Sequence, residues 1–533
     1  MKSIRIYMLG ALALAGCAKI SSPQGGPKDV EPPKVVKSFP PNGSTHFNSA
    51  SVVIQFDEFV KLEGLQQKLI VSPPMEQKPV IRVKKKSVYI RFQETPKPET
   101  TYTINFGDAI QDLTEGNAES AFQYVFSTGD ELDSLQMRGQ VTDAFSGEPV
   151  EGFLVMLYAG NEDSLPLKEK PRYFTRTAKD GSYTITHLKA GSYKVFALED
   201  KNSNYIFDQP SERIGFLDEP VTLPGDSSRL LKVFPNREET VRLLEAKMIR
   251  YGELRLMFNH SPGDVKWKLL DGETDTSGWL VQPSQLGDTM DIWMPDVKGE
   301  ILRLSVRFAG DTDTITTKVM SPSDIGPQEQ FTPLYVNVYA GSPLKPEQAL
   351  VVRSQYPLRD WNVQGLQLWE GDQQMDVDWK VHQGVFTSIS CDQAWKEDQA
   401  YKLVILPGSF HDIFGFTQDS LAFELPVAKA EESGTVRMDL QIDGDARWYI
   451  ELTDMKDKTV VRKSGHGSQV IGWTYLPPME YKARLIVDAN GNSRWDSGSY
   501  MTEDGQPEEV YHYPGTLKVR ANWDMDIQWK IRK

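Results

Sequence analysis

The chain has 533 residues, with 59 Lys and Arg against 74 Asp and Glu for a formal charge of −15, and only two cysteines. The length allows several domains. The acidic balance argues against a nucleic-acid partner, whose phosphates are held by clustered basic residues, and two cysteines cannot make a disulfide framework.

The first stretch reads MKSIRIYMLGALALAGC. Lys2 and Arg5 precede a short apolar run from Ile6 to Leu14, the charged and apolar regions of a secretory signal. That run is too short to span a bilayer as a mature helix. Leu14-Ala15-Gly16-Cys17 resembles a bacterial lipobox, which implies cleavage before Cys17 and a lipid anchor on it. Residues 1–17 are thus expected to be signal peptide and lipobox. Loss of Lys2 and Arg5 takes the basic count from 59 to 57 against 74 acidic residues, a charge of −17 on the mature chain. Residues 18–32, AKISSPQGGPKDVEP, are rich in Pro, Gly and Ser and read as a tether.

Beyond the tether, alternation with period two dominates. Val88, Ile90 and Phe92 alternate in VYIRF, Leu302, Leu304, Val306 and Phe308 in LRLSVRF, and Met438, Leu440 and Ile442 in MDLQI; each predicts a strand with one buried face. Turn dipeptides such as Asn42-Gly43, Asp180-Gly181 and Asp271-Gly272 punctuate them. Helical periodicity is almost absent, and REETVRLLEAKMI from Arg237 is short and carries a β-branched residue at Val241. The basic run Lys84-Lys85-Lys86 falls between two strand-like stretches and reads as a hairpin or a solvated edge. The expected fold class is all-β, a series of tandem β-sandwiches.

Residues 33–130 contain PPKVVKSFPPNGS, VVIQFDEFVKL, TTYTINFGDAIQDLTEGN and FQYVFSTG. Together these resemble the bacterial Ig-like domain of the S-layer type. Tyr102, Ile104 and Phe106 are expected to share one buried face, with Asp112, Gly116 and Asn117 in a capped, sharp turn. Residues 134–234 open MRGQVTDAFSGEPVEGFLVMLY and continue AKDGSYTITHLKAGSYKVFALED. They resemble the prealbumin-like sandwich of the carboxypeptidase-regulatory-like and collagen-adhesin B-type families, whose members serve mostly as spacers and stalks. Residues 237–328 are β-rich without a resemblance. Residues 332–428 contain QAYKLVILPGSFHDIFGFTQDSLAFELPV, a looser parallel of the first module in which Asp412 answers to Asp112. Residues 434–533 repeat the second module: LKAGSYKVFALEDKNSNYIFD and LPPMEYKARLIVDANGNSRWD hold one register from Leu188 to Asp208 and from Leu476 to Asp496. Duplication of an Ig-like plus prealbumin-like unit explains the order.

The repeated loop places Asp200, Asn202, Asn204 and Asp208, and again Asp488, Asn490, Asn492 and Asp496, at relative positions 1, 3, 5 and 9. Calcium takes six to eight oxygen ligands from such an arrangement. The glycine at position 6 and the bidentate Glu at position 12 of an EF-hand are missing, with Tyr205 or Ser493 and Ser211 or Ser499 in their places. The competing reading is an Asx-turn loop that Phe207 and Trp495 plug into the sandwich.

No His-Glu-x-x-His, Gly-x-Ser-x-Gly, phosphate loop or Cys-x-x-Cys occurs, and the seven histidines are scattered, so a non-enzymatic protein is expected. Cys391 reads as a small buried side chain. Most tryptophans fall at strand phase among aliphatic residues, Trp448 with Ile450 and Leu452 and Trp529 with Ile527 and Ile531, whereas Trp361 and Trp523 are the candidates for stacking on a glycan. The whole chain resembles an Ig-like-domain lipoprotein of Bacteroidetes-type bacteria. With that resemblance goes the expectation of an outer-membrane, lipid-anchored protein acting as scaffold or as interaction and adhesion module, with a protein or glycan partner in the envelope; structural calcium stays an open alternative to the turn reading of the two loops, and glycan capture is the alternative function. AKISS after Cys17 lacks an acidic surface-export run, which favours the periplasmic side.

Overall fold

A computed structural model describes residues 29–531 except 121, 226–227, 238–239, 272–275, 285–286, 321–333, 339–341, 383–387, 501 and 503–504. Cys17, the signal segment and most of the tether lie outside the described residues. None of the described helices is long and apolar enough to cross a membrane. The chain divides into two compact units. One holds residues up to Val141 with Pro149–Asp208 and Gly215–Lys232; the other holds Thr142–Glu148, Gln209–Ile214 and everything from Val233.

The alternating segments are the strands that their periodicity predicts. In Ile301–Phe308 the residues Leu302, Leu304, Val306 and Phe308 are buried while Arg303 and Arg307 face water. Ser87–Arg91 buries Val88 and Ile90, and Gly434–Ile442 buries Met438, Leu440 and Ile442. Within the segment read from Arg237, residues Leu243–Arg250 form a strand paired to Glu253–Phe258. Lys85 stands at φ 59° in the turn joining Val80–Lys84 to Ser87–Arg91, the hairpin expected for the basic run.

The first module is a sandwich of two antiparallel sheets. One runs in the order Val35–Phe39, Ser51–Phe56, Ser87–Arg91, Val80–Lys84; the other runs Gln123–Ser127, Thr101–Asn105, Ile70–Ser72. In chain order these are strands A, B, E, D over C, F, G, the constant-type immunoglobulin arrangement. A short extra sheet, Val60–Leu62 with Ile110–Asp112 and Ala118–Glu119, is inserted after strand B and after strand F. Tyr102, Ile104 and Phe106 are buried as expected.

The module from Leu243 onward, which the sequence leaves without a relative, has the same arrangement in its plainest form. Leu243–Arg250, Glu253–Phe258, Thr289–Trp293 and Leu280–Pro283 form A-B-E-D, and Lys266–Leu269, Ile301–Phe308 and Asp311–Lys318 form C-F-G. The fourth module repeats it again, with Leu334–Val336, Leu350–Ser354, Ser388–Cys391 and Lys380–His382 opposite a four-stranded sheet centred on Leu366–Glu370 and Tyr401–Ile405. Its inserted pair is Leu358–Trp361 with Phe410–Asp412.

The second and fifth modules correspond strand for strand. Leu135–Asp143 pairs with Ser182–Leu188 as Gly434–Ile442 pairs with Gln469–Leu476. Leu154–Tyr158 lies between Tyr173–Arg176 and Gly191–Leu198 as Arg447–Thr453 lies between Thr459–His466 and Glu480–Val487. The fifth module closes with Trp523–Ile531 running parallel to Gly434–Ile442.

Candidate functional site

The repeated loops leave the strands Gly191–Leu198 and Glu480–Val487 and build one hydrogen-bond network twice. In the first, the Asp200 carboxylate accepts the Asn204 N–H at 3.2 Å on one oxygen and the Tyr205 N–H at 3.1 Å on the other. In the second, Asp488 accepts Asn492 and Ser493, each at 3.0 Å. The Asn202 and Asn490 oxygens accept the amide two residues on, at 3.2 and 3.0 Å, and Asn204 and Asn492 do the same for Ile206 and Arg494 at 2.8 and 2.7 Å. Their side-chain amides all donate to the last carboxylate, Asp208 or Asp496, at 2.7 to 3.0 Å. All eight residues anticipated from the spacing are therefore brought together in their two groups of four.

The backbone repeats as well. Ser203 and Gly491 at position 4, and Tyr205 and Ser493 at position 6, have φ of 61°, 73°, 66° and 58°. The sharp turn that glycine supplies at position 6 of a calcium loop is thus made here by residues with a Cβ. Such φ values are uncommon outside glycine and are held by the amide-to-Asp bonds on either side.

The second loop contains a further carboxylate that the spacing did not point to. Glu508 accepts the Ala489 N–H at 2.8 Å and the Asp496 N–H at 3.0 Å. Its pKa is raised, first by burial, against which the two amides act, and then by the charges of Asp496 and Asp488. Glu508 reaches the loop from a segment 12 residues beyond Asp496, which no local pattern announces. Phe207 is buried, and the Trp495 indole N–H donates to the Glu508 carbonyl at 2.9 Å while its ring lies 5.1 Å from Phe145 in a cluster with Tyr449, Ile486 and Val510. Trp495 thereby joins its loop to the strands of the fifth module.

Other repeated polar side chains hold turns. Asp112 accepts N–H bonds from Thr114, Gly116 and Asn117 at 2.7 to 3.0 Å and a shorter one of 2.5 Å from Glu115. Burial by itself would raise its pKa, but the four amides overcome this and hold it at about 2. Asp412 accepts from Phe414 and Phe416, both at 2.9 Å. Tyr102 and Tyr401 each accept the N–H of the residue five positions earlier, at 2.9 and 3.2 Å, the corner device of Ig-like sandwiches. Tyr193 and Tyr481 each donate to the carbonyl four positions earlier, both at 2.7 Å.

The remaining candidates are dispersed. Trp361 is half-buried on the core of the fourth module, opposite Phe410 across the strand pair. Trp523 is 50% exposed, with the Arg520 guanidinium 4.9 Å from its ring centroid. Trp448 and Trp529 are core residues. His411 and His466 meet Asp360 and Asp445 at 2.7 and 2.8 Å on the surface, and among the described residues no cluster of three or more His, Cys, Asp or Glu is placed to hold a metal ion.

Residues 29–128 match the family model of the bacterial Ig-like domain, and residues 136–203 that of the carboxypeptidase regulatory-like domain. The chain thus carries Ig-like and prealbumin-like β-sandwich domains in tandem. No curated protein matches it. Among solved structures it is similar to the S-layer protein rSbsC(31-844), with 11% identity over 91% of this chain and 67% of that one at a TM-score of 0.15. Titin domains A168–A170 match with 13% identity over 51% of this chain and 98% of theirs at 0.15. The major pilin subunit BcpA of Bacillus cereus matches with 11% identity over 74% and 98% at 0.14. Superpositions this loose carry no functional implication.

Proposed function

We propose that the chain is a non-enzymatic cell-envelope lipoprotein, anchored to the outer membrane through Cys17 on the periplasmic side, whose β-sandwich modules act as a scaffold or as an interaction and adhesion module. The observation that carries this reading is how the repeated polar side chains are used. Asp112, Asp412, Tyr102, Tyr401, Tyr193 and Tyr481 each bond the backbone of their own module, so the duplicated chemistry is that of holding turns. The lipobox resemblance supplies the anchor. Fractionation of cells expressing the full chain and Cys17→Ser tests it. The unsubstituted chain should stay with the outer membrane until detergent releases it, and Cys17→Ser should appear in the soluble periplasmic fraction. Retention of the variant in the membrane would remove the anchor from the reading, and turnover of substrate by purified protein would remove the word non-enzymatic.

Within this reading the two loops are weak structural calcium sites. Two carboxylates and two asparagine side chains are gathered in each, and the left-handed position 6 is kept. A cation there would displace the Asn amides from Asp208 and Asp496. A ligand present at its dissociation constant adds about 0.4 kcal/mol, so millimolar calcium should raise the melting temperature slightly over chelator, and Asp200→Ala and Asp488→Ala should each lose part of the gain. Identical melts with calcium and with chelator would leave the loops as turns alone.

A further inference from the structure

One groove stands out against the charge of the chain. It has a volume of about 800 Å³ and is built wholly within the first unit, between the Ig-like module and the prealbumin-like module that follows it. That volume falls within the roughly 300–1,000 Å³ of small-molecule sites, which favour such junctions. In a protein of net charge −15, the charged side chains lining it are Lys97, Lys168, Lys170 and Arg172 against Glu76 and Glu169.

The two modules meet closely beside it, since the Phe174 N–H donates to the Ser72 hydroxyl at 3.3 Å and the Thr186 hydroxyl to the Gln123 amide oxygen at 3.2 Å. Pro73, Pro74, Pro98 and Pro171 form part of its walls, and their fixed φ reduces the ordering that a ligand would have to impose. In its lining the buried Tyr158 donates its hydroxyl to the Glu169 carbonyl at 3.1 Å.

Lys170 is engaged by Glu76 at 2.7 Å. Lys97, Lys168 and Arg172 make no ion pair among the described residues, and all three are exposed. The pKa of Glu76 is lowered first by its hydrogen bond and charge contact with Lys170 and also by Lys97.

We propose that this groove binds an acidic oligosaccharide, its anionic group on Lys97 and Arg172 and its hydroxyls on Glu76, Glu169 and Thr100. The mixture of charges selects this class. A dense polyanion would meet two carboxylates among the cations, and a neutral sugar would leave the cations without a partner; a saccharide with sparse charge satisfies both. The anion could be a uronate carboxylate or a sugar phosphate, which share this chemistry. The site goes beyond the scaffold reading, requires neither the lipid anchor nor calcium, and has neither Trp361 nor Trp523 in its lining.

Isothermal titration of the full chain with trigalacturonate and with phosphorylated mannotriose distinguishes the two anion sources, with maltotriose as neutral sugar and oligo-aspartate as acidic peptide. At least one acidic trimer should bind, weakening with added salt, and maltotriose should bind at least tenfold more weakly. Lys97→Glu combined with Arg172→Glu, both on exposed side chains, should weaken binding at least tenfold with an unchanged melting curve. Lys84→Glu combined with Lys85→Glu, in the basic hairpin elsewhere on the same module, should leave it unchanged. The proposal is overturned if neither acidic trimer binds, if oligo-aspartate binds as well as they do, or if the groove variant binds like the unsubstituted chain. Equal loss in the hairpin variant would reduce the effect to general charge and overturn it too.

Discussion

Asp112 and Cys391 show two opposite fates of an ionisable side chain taken out of water. Asp112 meets four amides and stays charged, with its pKa held at about 2. A carboxylate whose folded pKa lies below its unfolded value of about 3.9 contributes stability that is complete above that value and is lost as pH falls towards about 2. The first module should therefore lose stability across that window, and Asp112→Asn should flatten the acid limb of its melting profile while lowering stability at neutral pH. An unchanged acid limb would refute the assignment. For Cys391, burial, and secondarily the charge of Asp392, pushes the thiol up to about 11. Because the thiolate is the reactive species, iodoacetamide at pH 8 should label Cys391 only after denaturation. The Asp112 turn was legible from its Asp, Gly and Asn, since a turn is a local structure; Glu508 was not, because its partners are amides elsewhere in the chain.

At the level of strands, the duplicated modules place contrasting chemistry at corresponding positions. In the second module Met156 lies between Phe174 and Phe196 across neighbouring strands, and all three are buried. In the fifth, the matching row is Glu451 between Arg462 and Arg484. Glu451 is almost fully buried, and Arg484 reaches it at 2.6 and 2.7 Å. Burial alone would raise the Glu451 pKa, but the hydrogen bonds and charges of the two arginines lower it overall. Glu451 and Arg484 form a buried pair, with Arg462 more exposed at its edge; buried ion pairs are costly to break and are often replaced by apolar groups without loss. Glu451→Ala should destabilise the module by about 3–5 kcal/mol, whereas the triple change to Phe, Met and Phe should be neutral or stabilising by about 1–4 kcal/mol, read by denaturant unfolding. A Glu451→Ala variant as stable as the parent would show that the triad contributes nothing. A second constraint lies at Gly252, where φ is 72° and an added Cβ would stand 2.5 Å from the Phe414 ring; the rings of Trp293 and Tyr356 lie 6.3 and 5.9 Å from that of Phe414.

Over the whole chain, stability is divided among separate cores. One cluster gathers Leu254, Ile292, Leu304 and Val306, another Val436, Trp448 and Trp529, and others belong to the first and fourth modules. A protein of this kind departs from two-state unfolding, and its calorimetric trace should resolve more than one transition. Leu304→Ala, at a fully buried site, should lower one of these by about 2–5 kcal/mol and leave the rest in place. A uniform shift of the entire trace would mean that the modules unfold as one.

Alternation of side chains along a strand is a local property with period two, and the strands and the all-β class could therefore be read along the chain, as could the loop repeat and the correspondence of the second and fifth modules from their shared spacing. Which strand lies beside which depends on contacts between residues far apart in sequence, which periodicity does not encode. Tertiary folding therefore revealed that the module from Leu243 has the constant-type immunoglobulin order, that Glu508 joins the second loop, and that Arg462 and Arg484 flank Glu451. The basic groove has the same origin: Lys97 and Arg172 are unremarkable charges in their own segments, and acquire a shared field only because the two modules close on each other.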